Sequence, residues 1–214
     1  MPKEFTSLAD RAYELLEQKI ISLQLKPGQV YSETELSELI ELGRTPMREA
    51  LLRLAKERLV QMIPRRGVLI SDIDLKQHIG LLETRKALDT LIVMRAAGRV
   101  SRQQRDRLKE CSAEMMRAAE DKDVSAFRRI DDEVDLVLGA ASKSVFAVDA
   151  VKHLYAHCKR FWSYYHDHLD LAHSARQHSK LLLAVAGGDE EGARNAVVDI
   201  IDGQIAFTRK ALDL

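Results

Sequence analysis

The chain has 214 residues, of which 46% are hydrophobic and 31% are charged, a composition that favours a folded globular protein over a disordered one. Lys plus Arg equals Asp plus Glu at 33 each, so no net charge draws the whole chain to nucleic acid or to an anionic membrane. No apolar run approaches the roughly 18 residues of a membrane span, and no secretory signal or paired cysteine motif is present. We therefore expect a cytoplasmic protein that binds its partners through local surfaces and does not meet a membrane.

The first two predicted elements are helices. Apolar residues recur at helical spacing from residue 8 to about residue 25, where a Pro-Gly turn follows. Ser32 and Glu35 have the spacing of a capping box, in which each side chain satisfies a backbone N–H group of the other's turn. A short second helix is therefore expected over residues 32–40.

A third helix is predicted just after the brief connection at residues 41–44. Thr45 is a good N-cap, and Pro46 suits the first helical position, where its missing N–H group costs nothing. The residues with the apolar spacing of a buried face are Met47, Ala50, Leu51 and Leu54. Arg44 and Arg48 then lie outside that face at the start of the helix.

Two β-prone runs, LVQMI and GVLIS, follow the third helix and are separated by Pro-Arg-Arg-Gly. This pattern predicts a small hairpin with Arg65 and Arg66 at its tip. Three helices and a basic hairpin make a winged helix-turn-helix, which we assign to residues 1–72.

The remainder, residues 73–214, shows no convincing strand pattern. Helical patterns run over residues 74–98, 101–121, 124–141, 144–169, 172–186 and 189–212, with short turns between them. Helices joined so tightly pack antiparallel. The predicted fold class is therefore mainly α, with an N-terminal winged helix-turn-helix followed by an antiparallel bundle of about six helices.

Basic residues concentrate between Gly43 and Arg66, a stretch that contains seven Lys or Arg residues and only two Glu residues. In a helix-turn-helix the second helix of the motif enters the major groove of DNA with its N-terminal residues. Arg44 and Arg48 occupy that end, and a guanidinium pairs bidentately with guanine O6 and N7. The hairpin arginines suit a wing that reaches the minor groove or a flanking phosphate, and Gly67 would let the backbone come close.

The predicted DNA-contacting residues are therefore Arg44, Thr45, Arg48, Arg53, Arg65, Arg66 and Gly67. Arg53 is expected to lie on the protein surface or to contact the DNA backbone. A single arginine is as readily part of a solvated face, and it is the combination of a turn, a capped helix and a basic hairpin that favours DNA.

The run PGQVYSETELSELIELGRTPMREALLRLAKERLVQMIPRRGVLIS resembles the DNA-binding domain of the GntR family of bacterial transcription regulators. The resemblance carries the family's DNA-contacting arginines to Arg44 and Arg48 and its wing glycine to Gly67. Glu41 departs from the pattern where the turn usually has glycine, and Gly43 where a serine is usual. The comparison therefore implies a turn of different shape and the loss of one small polar phosphate contact.

Three further runs, LLETRKALDTLIVMRAA, IDDEVDLVLGAAS and RQHSKLLLAVAGGDEEGARNAV, resemble the FadR-like subfamily, which carries an all-helical C-terminal domain of the FCD type. The resemblance implies that this domain binds a small effector, often a carboxylate, and forms a homodimer. Arg85 lies where the subfamily commonly presents an arginine to the ligand. It could clamp a carboxylate or form a buried salt bridge with a bundle aspartate.

Many subfamily members bind a divalent metal through an aspartate and three histidines inside the bundle. Here Asp131 and His178 stand at two of those positions, Asp135 replaces the first histidine, and the last position falls near Ile200. Two carboxylates and one imidazole make a more oxygen-rich site, which binds transition metals less tightly. The resemblance thus implies a divalent metal (Zn, Ni or Mn) on Asp131, Asp135 and His178, while a polar helix stripe and a core or effector-pocket histidine are the alternatives.

We predict a sequence-specific DNA-binding regulator, a repressor by family habit, that reads a palindromic operator as a homodimer. A small effector, expected to be an organic acid bound near Arg85, Asp131 and His178, would modulate operator binding. Two alternatives remain: a regulator whose bundle serves only for dimerisation, and a metal-dependent helical-bundle enzyme. The chain lacks any nucleophile and base set, Gly-rich phosphate loop or HExxH motif, so we predict that it is not an enzyme.

Overall fold

A computed structural model of the chain describes residues 7–165 and 170–212. Within these ranges the elements are α1 (Leu8–Ile21), β1 (Val30–Tyr31), α2 (Glu33–Ile40), α3 (Arg44–Lys56), β2 (Val60–Ile63), β3 (Gly67–Ile70), α4 (Leu75–Ala97), α5 (Arg102–Glu120), α6 (Val124–Ser142), α7 (Val145–Tyr165), α8 (Leu171–Gly187) and α9 (Glu190–Leu212). The predicted fold class, a winged helix-turn-helix followed by a helical bundle, is confirmed.

The described chain divides into two compact units. The first contains the residues up to Asp74 and the C-terminal half of α7 from Tyr155 onward. The second contains Leu75–Leu154 and the described residues from Asp170 onward.

The first unit packs α1, α2 and α3 against an antiparallel sheet with strand order β1-β3-β2. Met47, Ala50, Leu51 and Leu54 of α3 are all buried in its core, as their spacing predicts. Helix α2 begins with the capping box: the Ser32 hydroxyl accepts from the Glu35 amide at 3.1 Å, and the Glu35 carboxylate accepts from the Ser32 amide at 2.7 Å.

The C-terminal half of α7 is an integral part of the first unit. Ala156 is 3% exposed and belongs to that unit's apolar core. His157 donates from Nε2 to the carbonyl of Glu57, the C-cap of α3, at 2.8 Å. Arg160 is 2% exposed and donates to the carbonyl of Ser71. Helical periodicity shows that this segment has an apolar face but does not show which element covers it.

In the second unit α4 packs on α6 and α9, and α5 packs on α6 and α8. Helices α8 and α9 form an antiparallel pair around Gly188, which adopts the left-handed conformation at the C-cap of α8. An ion pair between Lys86 of α4 and Asp202 of α9, at 2.6 Å, links the two helices with the most extensive mutual packing in this unit.

Several predicted boundaries are wrong. Helix α1 ends at Ile21 and not near residue 25, because Leu23 adopts a positive φ of 63° that interrupts the helix. Helix α3 begins at Arg44 with Gly43 as N-cap, so Thr45 and Pro46 occupy the second and third helical positions. Pro46 still removes no helical hydrogen bond at this position, because the N–H groups of the first turn have no helical partner.

Two other differences concern short or terminal segments. Strand β1 was not expected, because two residues carry too little pattern to be recognised. The final residues of the helix predicted over residues 144–169 lie outside the described ranges.

Candidate nucleic-acid interface and bundle site

The N-terminal turn of α3 carries two exposed arginines that lean toward α2. Arg44 donates from Nη2 to the Thr34 hydroxyl at 3.4 Å. Arg48 lies with Nε 3.3 Å from the Glu33 carboxylate, and its side chain is 64% exposed. Such exposed contacts are weak, so they orient the two guanidinium groups without holding them back from a DNA base or phosphate.

The turn before α3 keeps the geometry that a glycine would give it. Glu41 is the C-cap of α2 and adopts φ 54° and ψ 37°, in the left-handed region. Glu41 thus adopts the conformation that glycine takes most readily, and a turn shape different from that of the family stays a prediction. Gly43, as the N-cap of α3, makes no side-chain cap bond, so the N–H groups at this helix start are left for another acceptor such as phosphate.

The outward face of α3 begins with Thr45 in the first turn. It continues along the helix through Glu49, Leu52 and Lys56, and all four residues are exposed. Thr45 lies between the two arginines in sequence and shares their exposed surface. Leu52 is 57% exposed, although the sequence pattern alone places it only outside the buried stripe. These residues extend the predicted interface by two helical turns.

Arg53 occupies the opposite edge of α3 and is engaged within the protein. It donates from Nη1 to Asp10 of α1 at 2.7 Å, and its guanidinium lies 4.2 Å from the centre of the Tyr13 ring. The Tyr13 hydroxyl lies 2.7 Å from the Glu17 carboxylate and 2.6 Å from that of Glu57. Burial, followed by hydrogen bonding to these two carboxylates, raises the pKa of Tyr13. The described contacts thus give Arg53 a role in joining α3 to α1, and its contact with DNA stays a prediction.

The wing presents Arg65 and Arg66 at an exposed turn, closed by the Arg66 amide donating to the Ile63 carbonyl at 3.0 Å. Arg65 adopts a positive φ of 63°. Gly67 adopts φ 114°, and a Cβ atom there would collide with the carbonyl oxygen of Tyr31 in β1. Gly67 therefore allows β3 to lie close to the backbone of β1 within the sheet, and its close approach to DNA stays a prediction.

In the second unit Arg85 forms a buried ion pair with Asp89, one helical turn further along α4. Both Nε and Nη2 donate to Asp89 Oδ2, at 3.0 and 2.7 Å. The two side chains are 14% and 4% exposed. Of the two interpretations of Arg85, the salt bridge is the one formed in this structure.

His178 and Asp131 come together across α8 and α6. His178 Nδ1 lies 2.7 Å from the Ser174 carbonyl, so this nitrogen carries the proton and donates it. His178 Nε2 then faces Asp131 Oδ1 at 3.6 Å, and Phe127 packs edge-on against the imidazole with ring centres 5.7 Å apart. In the neutral imidazole, Nε2 therefore presents a lone pair toward the carboxylate.

The third predicted ligand does not complete a metal cluster. Over residues 7–165 and 170–212, no group of three or more His, Cys, Asp or Glu side chains is placed to hold a metal ion. Ile200, at the position of the family's last histidine, is buried in the apolar face of α9. Asp131 and His178 are thus brought together without a third His, Cys, Asp or Glu ligand from the part of the chain that the structure describes.

A winged helix with exposed arginines on its recognition helix and wing, followed by a separate helical unit, defines a DNA-binding transcription regulator. Residues 8–70 match the model of the bacterial regulatory proteins of the gntR family. Residues 80–203 match the FCD domain. The chain belongs to the GntR family and carries an FCD domain at its C-terminus.

Named relatives agree with this class. The chain is 27% identical to the HTH-type transcriptional repressor RspR of Escherichia coli K12 over 186 residues, covering 86% of this chain and 82% of the relative. It is 24% identical over 187 residues to the HTH-type transcriptional regulator McbR of the same strain, covering 86% of this chain and 84% of that protein. These relatives and both domains are those of transcription regulators and not of enzymes.

Solved structures share the fold over nearly the whole chain. The E. coli McbR/YncC structure superposes with a TM-score of 0.86 at 21% identity, covering 97% of this chain and 100% of that one. A GntR-type regulator from Rhodococcus sp. RHA1 gives a TM-score of 0.75 at 19% identity, covering 96% and 99%. No helix in the described ranges is long and apolar enough to cross a membrane.

Proposed function

We propose that this regulator represses transcription in the cytoplasm by binding a palindromic operator as a homodimer, and that a small effector bound in the helical unit modulates this binding. The observation that supports operator recognition is the exposed pair Arg44 and Arg48 at the start of α3. In this class the recognition helix reads base edges with its first residues, and two-fold symmetric dimers read two-fold symmetric sites.

The test of operator recognition is Arg48→Ala. Loss of a bidentate guanine contact costs about 1–3 kcal/mol of discrimination, so operator affinity should fall about tenfold or more while the oligomeric state stays unchanged. Arg11→Ala is the matched control, since Arg11 is an exposed arginine on α1. Operator affinity is measured by fluorescence anisotropy on a footprinted site, and equal affinities of Arg48→Ala and wild type would refute the assignment.

For effector binding, the supporting observations are the Arg85–Asp89 pair on α4 and the approach of His178 to Asp131 between α8 and α6. The proposed ligand combines an anionic group for Arg85 with hydrogen-bond donors for Asp131. Because Arg85 already neutralises Asp89, a carboxylate effector would have to exchange with the Asp89 carboxylate. Removing Arg85 alone would take the guanidinium away from the buried Asp89 carboxylate, which is strongly destabilising. The informative variant is therefore the double substitution Arg85→Gln with Asp89→Asn, which keeps a hydrogen-bonded neutral pair.

The effector proposal is tested by thermal shift with a library of organic acids, because a ligand that binds only the folded state raises the unfolding temperature. Stabilisation of the wild type that is lost in the double variant supports the proposal. Absence of any stabilising acid, with an intact dimer, would support the alternative in which the bundle serves only for dimerisation.

A divalent metal is the second ligand class that an observation supports. The hydrogen bond from Nδ1 to Ser174 orients His178 so that Nε2 faces Asp131, the arrangement that fixes a metal-ligating histidine. We propose that Zn, Ni or Mn would be held by His178 and Asp131, with Asp135 as the further ligand that the sequence implies. Metal analysis of protein purified without chelator tests this, and metal content that is equal in wild type and His178→Ala would refute it.

A further inference from the structure

Leu52 is an apolar residue on a surface that is otherwise polar or charged. It is 57% exposed, whereas the other apolar residues of α3 are buried or half-buried. Single exposed leucines are common, so exposure alone assigns no role to Leu52. What distinguishes Leu52 is its position relative to the arginines of α3.

The three arginines of α3 turn toward the two flanks of the helix, whereas Lys56 lies on the outward face one turn beyond Leu52. Arg44 and Arg48 lean on α2, and Arg53 is held against α1 by Asp10. Leu52 lies one turn beyond Arg48, at spacing i+4, so the two side chains are neighbours on the helix surface. Between the flanking arginines, the outward face therefore presents the isobutyl group of Leu52 together with the polar side chains of Thr45, Glu49 and Lys56.

The counterpart of an apolar side chain in the major groove is the 5-methyl group of thymine, which no other base of ordinary DNA presents there. We propose that Leu52 is a specificity-determining residue that packs against a thymine methyl group in each operator half-site. The arginines would supply hydrogen bonds to guanine and charge for the phosphates, while Leu52 would distinguish thymine from cytosine at a neighbouring base pair. The inference builds on the DNA-binding activity of the family and does not involve the effector.

The experiment uses duplexes selected from a random-sequence pool with the full-length wild-type protein. Each thymine of the selected half-site is replaced in turn, symmetrically, by deoxyuridine, which lacks only the 5-methyl group. At one position this change should weaken wild-type binding about fourfold per half-site, the value of one buried methyl group. Leu52→Ala should bind the unmodified duplex more weakly and be indifferent to deoxyuridine at that same position.

Leu39→Ala is the matched control, because Leu39 is a 43% exposed leucine on α2 and should keep the wild-type response to deoxyuridine. Circular dichroism and the oligomeric state of Leu52→Ala establish that it is folded. The proposal is overturned if no thymine position is sensitive in the wild type, or if Leu52→Ala retains the wild-type sensitivity. Tight binding of the wild type to the selected duplex tests DNA recognition independently of Leu52. A failure of the Leu52 proposal is thereby distinguished from a failure of the proposed function.

Discussion

Replacing Glu41 by glycine should stabilise the first unit, although it removes a side chain from a turn. Glu41 ends α2 at φ 54° and ψ 37°, where the Cβ atom of an L-residue crowds the following carbonyl oxygen at a cost of about 1–2 kcal/mol. Glycine avoids that contact, but its extra freedom in the unfolded chain takes back about 0.5–1 kcal/mol. The net gain in the free energy of unfolding should be about 0.5–1 kcal/mol.

The carboxylate of Glu41 makes a second contribution, which a control separates. It lies at the C-terminal end of α2, where the helix dipole disfavours a negative charge. Glu41→Ala removes this charge and keeps the Cβ atom, so it shares the electrostatic gain but not the relief of strain. The difference between Glu41→Gly and Glu41→Ala therefore measures the relief of backbone strain, less the effect of glycine's extra freedom in the unfolded chain.

The chain provides a suitable probe for this measurement. Its single tryptophan, Trp162, lies in the part of α7 that belongs to the first unit, so its fluorescence in urea reports the unfolding of the unit that contains Glu41. The midpoint should rise in the order wild type, Glu41→Ala, Glu41→Gly. A midpoint for Glu41→Gly at or below that of Glu41→Ala would refute the argument from backbone strain.

Of four further predictions, three use the same fluorescence assay. Burial, the largest influence, lowers the pKa of His157 below its ordinary 6.5 despite its bond to Glu57, with Arg160 and Arg58 adding to the lowering. The unfolded chain therefore binds the proton more readily, so the contribution of His157 is complete above about pH 6.5 and is lost as the pH falls through its folded pKa. His157→Gln should flatten that pH dependence, and an unchanged slope between pH 8 and pH 5 would contradict it. Gly67→Ala should destabilise the first unit by about 2 kcal/mol or more, because the new Cβ atom meets the Tyr31 carbonyl at an unfavourable φ. Gly80→Ala, in a helix where no atom of the described residues lies within 4 Å of the new methyl group, should instead raise the stability of the second unit by up to about 1 kcal/mol, measured by circular dichroism. Arg53→Ala should lower the first unit's stability by about 1 kcal/mol through loss of the Asp10 pair and the Tyr13 contact and should weaken DNA binding less than Arg48→Ala. This prediction would be wrong if Arg53→Ala kept the wild-type stability and lost more DNA affinity than Arg48→Ala.

Local patterns were sufficient for most elements of the fold. The capping box at Ser32 predicted the start of α2 because it depends only on two side chains and their own turn. The apolar spacing of α3 predicted its buried face, because a helix repeats its faces at a fixed angle wherever it packs. The start of α3 was misplaced by two residues, since Gly43 caps through its backbone and leaves no side-chain signal.

The candidate sites could be predicted only in part. The exposure of Arg44 and Arg48 follows from the buried stripe of their helix, but the engagement of Arg53 with Asp10 depends on where α1 lies. Likewise Arg85 had two possible partners, and only the folded bundle shows Asp89 in contact with it. In each case the undetermined quantity was a distance between groups on different elements or turns.

By itself, the sequence determined the family, the order of the helices, the winged N-terminal motif and the face of α3 that points outward. Each of these follows from local features of the sequence: the spacing of apolar residues, the capping residues and a run of basic residues. Only the tertiary structure decided that Gly67 is required by the Tyr31 carbonyl, that His178 faces Asp131, and that the second half of α7 packs with the first unit. The physical reason is that these contacts join residues far apart in the chain, and no local preference specifies which distant groups will meet.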